Sequence, residues 1–367
     1  MNTHDGLSAI FEQYGNISRP FTHMPPEEAL AIAREHYGAD GDIRHLPTEK
    51  DDTFHIRCAS GRGFIMKVEH PCEPREDVAF QTALLDDLTE NAPDLPVPRV
   101  IRTQHDAPVL VHTDRAGQER QIRLLSYLQG VPLDHIPTSA DGRRRIGAQL
   151  ARLRHALAGF SHPGGDRAII WDVRRLPDLR PLLSLIEDPS HRACAQAAMT
   201  RFMDLLPDIR KLRTQILHND FNRSNILARA HDDETLAGII DFGDALRTAI
   251  AIDVSTAMVN QLPQDVTPDA AAFLSAPRDV LHGYVEHADL QPAEIGMLGH
   301  LLMARLLTRA LITTWRAGMF SENRAYIMRH SQATWKQLAW FVERDADTIS
   351  DLFVSDTPFS NRMGCKA

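Results

Sequence analysis

Cysteine is scarce and scattered: Cys58, Cys72, Cys194 and Cys365 stand far apart with no C-x-x-C pair. Their spacing points to neither a disulfide framework nor a cysteine zinc site, and it fits a reducing compartment. Aromatic residues make up only 6% of the chain, and few fall near the motifs described below. That disfavours an aromatic cage of the kind a quaternary ammonium ligand demands. Positive charge is in deficit, with 40 Lys and Arg against 49 Asp and Glu and a formal net charge of −9. A general nucleic-acid binder is therefore not expected. Long apolar runs are missing too, since the stretch Leu301–Trp315 is interrupted by Arg305 and Arg309, so no membrane span is expected. The opening residues Met1-Asn2-Thr3-His4-Asp5-Gly6 carry neither a basic n-region nor an apolar h-region. No signal peptide is expected, and a cytoplasmic location is the expectation. Small-molecule partners remain.

The rest of the composition, 43% hydrophobic and 24% charged, is that of a globular chain able to hold one large or two medium domains. Pro25-Pro26-Glu27-Glu28 opens an amphipathic helix through Ala29–Tyr37, with proline in the first turn and acids at the positive dipole end. Strand signals follow from Ile43 to Val68, with Phe54, Ile56 and Cys58 alternating and Ser60-Gly61-Arg62-Gly63 as the turn. Asp77 to Leu88 reads as a helix, Pro93 to Pro98 as a connection, and Ile122–Leu128 as an apolar strand after a hairpin tip at Asp114–Gln118. Gln129-Gly130-Val131-Pro132 punctuates the chain. Beyond it Ile146, Leu150, Leu153 and Leu157 mark one buried helix face, and long helices resume from Asp253 to Ile349. The expected fold class is α+β. A helical N-terminal extension (1–40) precedes a small β-rich lobe (41–129) and a larger, mainly helical lobe (130–367).

Chemistry is concentrated in two segments. His218-Asn219-Asp220 is followed by Asn225 and then by Asp241-Phe242-Gly243, led in by the strand-like Gly238-Ile239-Ile240. Phosphoryl transfer asks little covalent chemistry of a protein, but it requires charge neutralisation and alignment of the nucleophile. Asn225 and Asp241 offer the hard oxygens that Mg2+ prefers. Asp220 is the candidate base for an acceptor hydroxyl, and His218 supports the loop. Lys67, in mid-strand, is placed to reach the α- and β-phosphates of ATP or GTP. A partner for Lys67 is expected on the following helix. The stripe Gln81, Leu84, Leu85, Leu88 puts Gln81 on the inward face with Asp77 one turn earlier, and Gln81 is favoured. Leu46-Pro47-Thr48-Glu49-Lys50-Asp51-Asp52-Thr53 occupies the place of a glycine-rich phosphate loop but contains no glycine. Any phosphate cradle there must use backbone amides or the hydroxyls of Thr48 and Thr53.

These residues resemble the aminoglycoside phosphotransferase and choline kinase superfamily, and within it the chain looks most like hydroxylysine kinases and related amino-alcohol kinases. Four stretches carry the resemblance: Phe64–Val68, Arg123–Pro132, His218–Leu227 and Gly238–Asp244. The narrower likeness rests on Asp244, on Ile170-Trp171-Asp172 and on the Tyr326…Trp335 spacing. The resemblance implies a bilobal protein-kinase-like fold with the nucleotide base against a hinge at Leu125, Tyr127 and Leu128. It also implies that Asp253 braces the catalytic loop and that GTP is a possible donor. A pyridoxal-phosphate phospho-lyase is the implied next enzyme. Independently of the resemblance, there is no A-P-E motif, and only a short segment separates Gly243 from the helix containing Asp253. A peptide-docking activation loop is thus excluded, and a small acceptor is favoured.

For an amino alcohol or hydroxy amino acid, Asp172 beside Trp171 offers an amine site, or else Trp171 packs and Asp172 caps a turn. Arg305 offers a cation for a substrate carboxylate, or a partner for an acid such as Asp244 or Asp253. Asp244 is itself a candidate substrate contact. Homoserine, choline and ethanolamine are alternative acceptors. A non-catalytic nucleotide-binding module is the rival class, and a metal-dependent hydrolase built on the 18 histidines is a weaker one.

Overall fold

The computed structural model describes residues 10, 19–48, 50–229, 232–319, 328 and 331–354. Tyr326, His231 and Cys365 lie outside the described residues.

Helix α1 (Pro26–Tyr37) leads into an antiparallel sheet of β1 (Gly41–Leu46), β2 (Asp52–Cys58), β3 (Gly63–Val68), β4 (Val100–Ile101), β5 (Leu110–Thr113) and β6 (Glu119–Ser126). The strand order is β1-β2-β3-β6-β4, with β5 paired to β6. Alternation assigns one face to a core. Phe54, Ile56, Phe64, Met66, Val68, Ile122 and Leu124 pack with Ala29, Ile32 and Ala33 of α1. The opposite face carries His55, Ile65 and Lys67. Strand β6 begins earlier than its apolar residues suggest, because it contains two buried arginines. Arg120 is neutralised by Asp52 at 2.9 Å and Asp114 at 3.3 Å, and Arg123 by Glu69 at 2.5 Å. Unpaired, either guanidinium would be prohibitively costly at that depth.

Helix α2 (Arg75–Asn91) belongs by its contacts to the larger core: Phe80, Leu84, Leu85 and Leu88 join the cluster formed by the C-terminal helices. After β7 (Val131–Pro132) come α3 (Ala140–Ala156), a 3-10 segment at Val173–Leu185 and α4 (Pro189–Ile209). Short strands β8 (Thr214–Leu217), β9 (Ile226–Arg229), β10 (Asp232–Ile239) and β11 (Leu246–Ala249) then bracket the catalytic segments. Antiparallel pairing of β9 with β10 and of β8 with β11 carries the two motif turns to the same end of these strands.

Helices α5 (Ile250–Val259), α6 (Ala270–Phe273), α7 (Ser275–Val285), α8 (Pro292–Met319), α9 (Ser331–Val342) and α10 (Ala346–Asp351) complete the lobe. Helices α3 and α7 cross with backbones in contact. A Cβ on Gly147 would sit 1.9 Å from the Val280 carbonyl oxygen, and one on Gly283 would sit 1.9 Å from that of Arg144. By length and composition α8 could cross a bilayer, but 83% of its most apolar window is buried inside the protein. It is the central helix of the lobe, and Arg305 and Arg309 on it face a cleft.

Candidate active site

Between the sheet and the helical lobe lies a cavity of about 520 Å³. Its walls bring together Lys67, Asp220, Asn225, Asp241, Asp244 and Arg305, residues drawn from five separate elements and turns.

The catalytic loop is shaped by its own side chains. Asn219 adopts φ +60°, a left-handed conformation that asparagine tolerates better than most residues. The Asn222 side chain accepts from the backbone N–H groups of Ser224 and Asn225, fixing the turn at Arg223–Asn225, and donates to Asp220 Oδ2 at 2.9 Å. Asn225 Nδ2 also donates to Asp220 Oδ2, at 2.8 Å. Arg305 Nη2 donates to the other oxygen, Oδ1, at 3.1 Å. The Asp220 carboxylate is therefore held in one orientation. His218 is fully buried, with Nε2 3.1 Å from the Ile240 carbonyl; burial holds its pKa below the usual histidine range. It ties the loop to the strand that precedes Asp241.

Asp253 accepts from the Asn219 N–H at 2.7 Å and so braces the loop from α5. Burial, reinforced by the nearby Asp220 charge, pushes its carboxyl up to about 7, against the opposing effects of that N–H and of Arg305. A raised folded-state pKa in an acid means that stability is greatest below the ordinary carboxylate range and is lost as pH rises towards 7. Asp253→Asn, which keeps an acceptor oxygen, should escape this loss. Urea denaturation between pH 5 and pH 8 should show wild-type stability falling relative to Asp253→Asn by about 3 kcal/mol. Parallel pH profiles for the two proteins would disprove the assignment.

Asp241 also has positive φ, +62°, and its Oδ1 accepts from the Gly243 N–H at 3.2 Å. Its side chain is half exposed to the cleft. The neighbouring Lys67 ammonium holds its carboxyl below the usual carboxylate range. Asn225 uses its amide nitrogen towards Asp220, which leaves its carbonyl oxygen as the group able to face a cation. One carboxylate and one amide oxygen suit Mg2+, a hard ion usually held by one or two protein oxygens with phosphates and water completing the octahedron. No group of three or more His, Cys, Asp or Glu among the described residues forms an all-protein metal cage.

Lys67 does not meet the partner expected from the sequence. Its Nζ lies 3.5 Å from Asp51 and 3.7 Å from Asp241. Burial would lower its pKa, but Asp241, Asp51 and Glu69 outweigh that effect and hold the ammonium above the usual lysine range. Gln81 instead accepts from Arg123 at 2.7 Å, and Asp77 pairs with Arg167 at 3.4 Å. Arg167 in turn donates to the carbonyls of Gly243 and Ala245. Helix α2 is thus connected to the Asp241 turn, whereas the lysine is held from the loop before β2.

Further expectations need correction. The Thr53 hydroxyl donates to Asp51 Oδ1 at 3.2 Å and does not line the cavity; Thr48 does line it, donating to the Asp51 carbonyl at 2.6 Å. Asp172 is buried away from the cleft. It caps the 3-10 segment through the Arg174 N–H at 3.0 Å and pairs with the Arg174 guanidinium at 2.9 Å, so its charge is not presented to a ligand. Trp171 does line the cavity, with the Arg305 guanidinium 5.2 Å from its ring centroid. Leu125, Tyr127 and Leu128 lie outside this cavity: Leu125 is buried in the core, Leu128 packs over Gly238, and the Tyr127 ring stacks on His55 at 4.1 Å. Arg305 takes Asp220 as its acidic partner, not Asp244 or Asp253. Asp244 lines the cleft with its carboxyl pushed up to about 6 by burial and by the Asp220 charge.

Sequence reasoning missed Lys50, whose Nζ donates to Glu73 at 3.0 Å inside the cleft, and it also missed Asn260 and Arg309. Arg309 was within reach, being one helical turn beyond Arg305 on the same face. The Asp241 turn runs directly through Phe242–Asp244 into β11, leaving no room for an activation loop.

Known proteins similar to this chain include kinases of small molecules. A hydroxylysine kinase from Bos taurus is 23% identical over 350 residues, covering 89% of this chain and 91% of the relative. A microcompartment-associated aminopropanol kinase superposes with a TM-score of 0.63 at 20% identity, over 83% of this chain and 93% of its own. An amicoumacin kinase solved with AMP-PNP and Ca2+ superposes with a TM-score of 0.61 at 16% identity, over 90% and 93% of the two chains. The model of the phosphotransferase enzyme family matches residues 43–284. The chain is a phosphotransferase and belongs to that family.

Proposed function

We propose that this protein transfers the γ-phosphoryl group of ATP or GTP to the hydroxyl of a small amino alcohol or hydroxy amino acid of the hydroxylysine type. The observation that carries this reading is the convergence of Lys67, Asp220, Asn225 and Asp241 on one cleft whose far wall is Trp171, Arg305 and Arg309. Lys67 and Lys50 supply positive charge at the donor end. Asn225 and Asp241 would hold Mg2+, which when bound neutralises the phosphate oxygens. Asp220, immobilised by Asn222, Asn225 and Arg305, orients the acceptor hydroxyl. The hydroxyl oxygen forms the new bond to phosphorus as the bond between phosphorus and the bridging oxygen breaks, its electron pair leaving with the nucleoside diphosphate. The hydroxyl proton passes to Asp220 and then to solvent. Asp244, free of an ion-pair partner among the described residues, is the acid available to an acceptor ammonium. Among the described residues lining the cleft Trp171 alone is aromatic, which favours a primary amine over a quaternary one. The phosphate ester formed is a good leaving group, suited to consumption by a pyridoxal-phosphate-dependent elimination.

The test is nucleoside diphosphate release with Mg2+ and ATP or GTP against 5-hydroxylysine, homoserine, ethanolamine and choline, with Asp220→Asn as the blank. One acceptor should raise turnover, and Asp220→Asn should lower that turnover by about 10²-fold or more. Nucleotide binding with no acceptor-dependent turnover would favour the non-catalytic alternative.

A further inference from the structure

Helix α8 places two arginines, Arg305 and Arg309, on the cleft wall one turn apart. Their environments differ. Arg305 is almost fully buried, with both terminal nitrogens engaged: Nη1 donates to the Trp171 carbonyl at 2.6 Å and Nη2 to Asp220 at 3.1 Å. Arg309 is half-buried and donates Nη2 to the Asn260 side-chain oxygen at 2.9 Å. Asn260 is oriented for that role by its own amide, which donates to the Thr256 carbonyl at 2.8 Å. No carboxylate among the described residues pairs with Arg309. Burial and the neighbouring Arg305 charge push its guanidinium down to about 10, against the opposing charge of Asp220. A cation held without a carboxylate in a partly desolvated wall is costly for the empty protein, and a ligand carboxylate would offset that cost through paired N–H donors.

We propose that Arg309, oriented by Asn260, is the carboxylate-binding residue of the acceptor site, and that the acceptor is accordingly a hydroxy amino acid and not a simple amino alcohol. The inference rests on the small-molecule kinase reading above and adds to it a recognised group and the residue that recognises it. Four residues along a helix correspond to a rise of roughly 6 Å. The Arg309 backbone therefore lies about that far along α8 from Arg305, the residue that meets Asp220.

The experiment compares each amino acid with its decarboxylated counterpart, homoserine with 3-aminopropan-1-ol and 5-hydroxylysine with 1,5-diaminopentan-2-ol, in the full-length wild type, Arg309→Gln and Arg309→Lys. Wild type should favour the carboxylate-bearing acceptor by about 30- to 100-fold in kcat/KM. Arg309→Gln should abolish most of that preference, and Arg309→Lys should keep part of it. Activity of the variants on the decarboxylated acceptors, together with an unchanged nucleotide Kd, verifies that they are folded. Calorimetric binding of the same four compounds is measured alongside turnover. If no compound is phosphorylated, the kinase reading fails for these acceptors, but binding of an amino acid to wild type and not to Arg309→Gln would still support the carboxylate site. Equal preference in wild type and Arg309→Gln, or no binding of either amino acid, would overturn it.

Discussion

Asp241→Asn is expected to lower kcat/KM by on the order of 10³-fold, equivalent to about 4 kcal/mol in the barrier, while leaving the fold intact. Two features of the site make the effect large. Asp241 is the only carboxylate that combines cleft exposure with proximity to Lys67, 3.7 Å away, and with the open face of Asn225 among the described residues. Its replacement removes the anionic oxygen on which hard-cation binding depends, and an amide oxygen is a weak substitute. The fold should survive because the side chain is half exposed and its one backbone contact, accepting from the Gly243 N–H, can be made equally by asparagine. Steady-state kinetics over a range of Mg2+ concentrations, paired with thermal unfolding, checks both halves. Activity above about a tenth of wild type would be far too high for a metal ligand and would remove Asp241 from that role.

Lys67→Ala is expected to cost about 10²- to 10³-fold in kcat/KM, with a raised nucleotide KM. The informative comparison is with its neighbours. Because Asp51 and not Gln81 meets the ammonium, Asp51→Ala should lower kcat/KM by on the order of tenfold through a poorly held lysine. Gln81→Ala should change it less than about threefold, since the amide oxygen accepts from Arg123 and does not hold the lysine. The reverse ranking, with Gln81→Ala the more damaging of the two, would restore the helix as the anchor of the lysine and contradict the geometry described above.

The contrast between these two residues explains what was legible in the sequence. The convergence of Asp220, Asn225 and Asp241 was legible because each lies in a tight turn in which nearby residues in sequence are neighbours in space. Lys67 could be placed because strand alternation fixes its face. Its partner could not. Asp51 approaches through the pairing of β2 with β3, and in the sequence it is one of several polar residues in a glycine-free loop. For Asp172 the sequence leaves both an amine site and a turn cap open for a related reason: a carboxylate next to an aromatic suggests a cation site, but two residues later Arg174 supplies both the N–H and the guanidinium that turn the acid inward as a cap. The beginning of β6 was hidden because Arg120 looks like a surface charge until Asp52 and Asp114 are brought to it from distant parts of the sheet. Helix α2 reads as part of the small lobe by position, although its leucine face is buried in the larger core. Local geometry was recoverable; charge pairing between distant elements was not.

The most direct test of the central claim follows the label from γ-³²P-labelled ATP or GTP in the presence of Mg2+ and 5-hydroxylysine or homoserine. Label should appear in an acid-stable phosphate ester of the acceptor, in equal amount to the nucleoside diphosphate formed, and neither should form with Asp220→Asn. Label recovered only as inorganic phosphate, or retained in the nucleotide while nucleotide binds, would contradict the account.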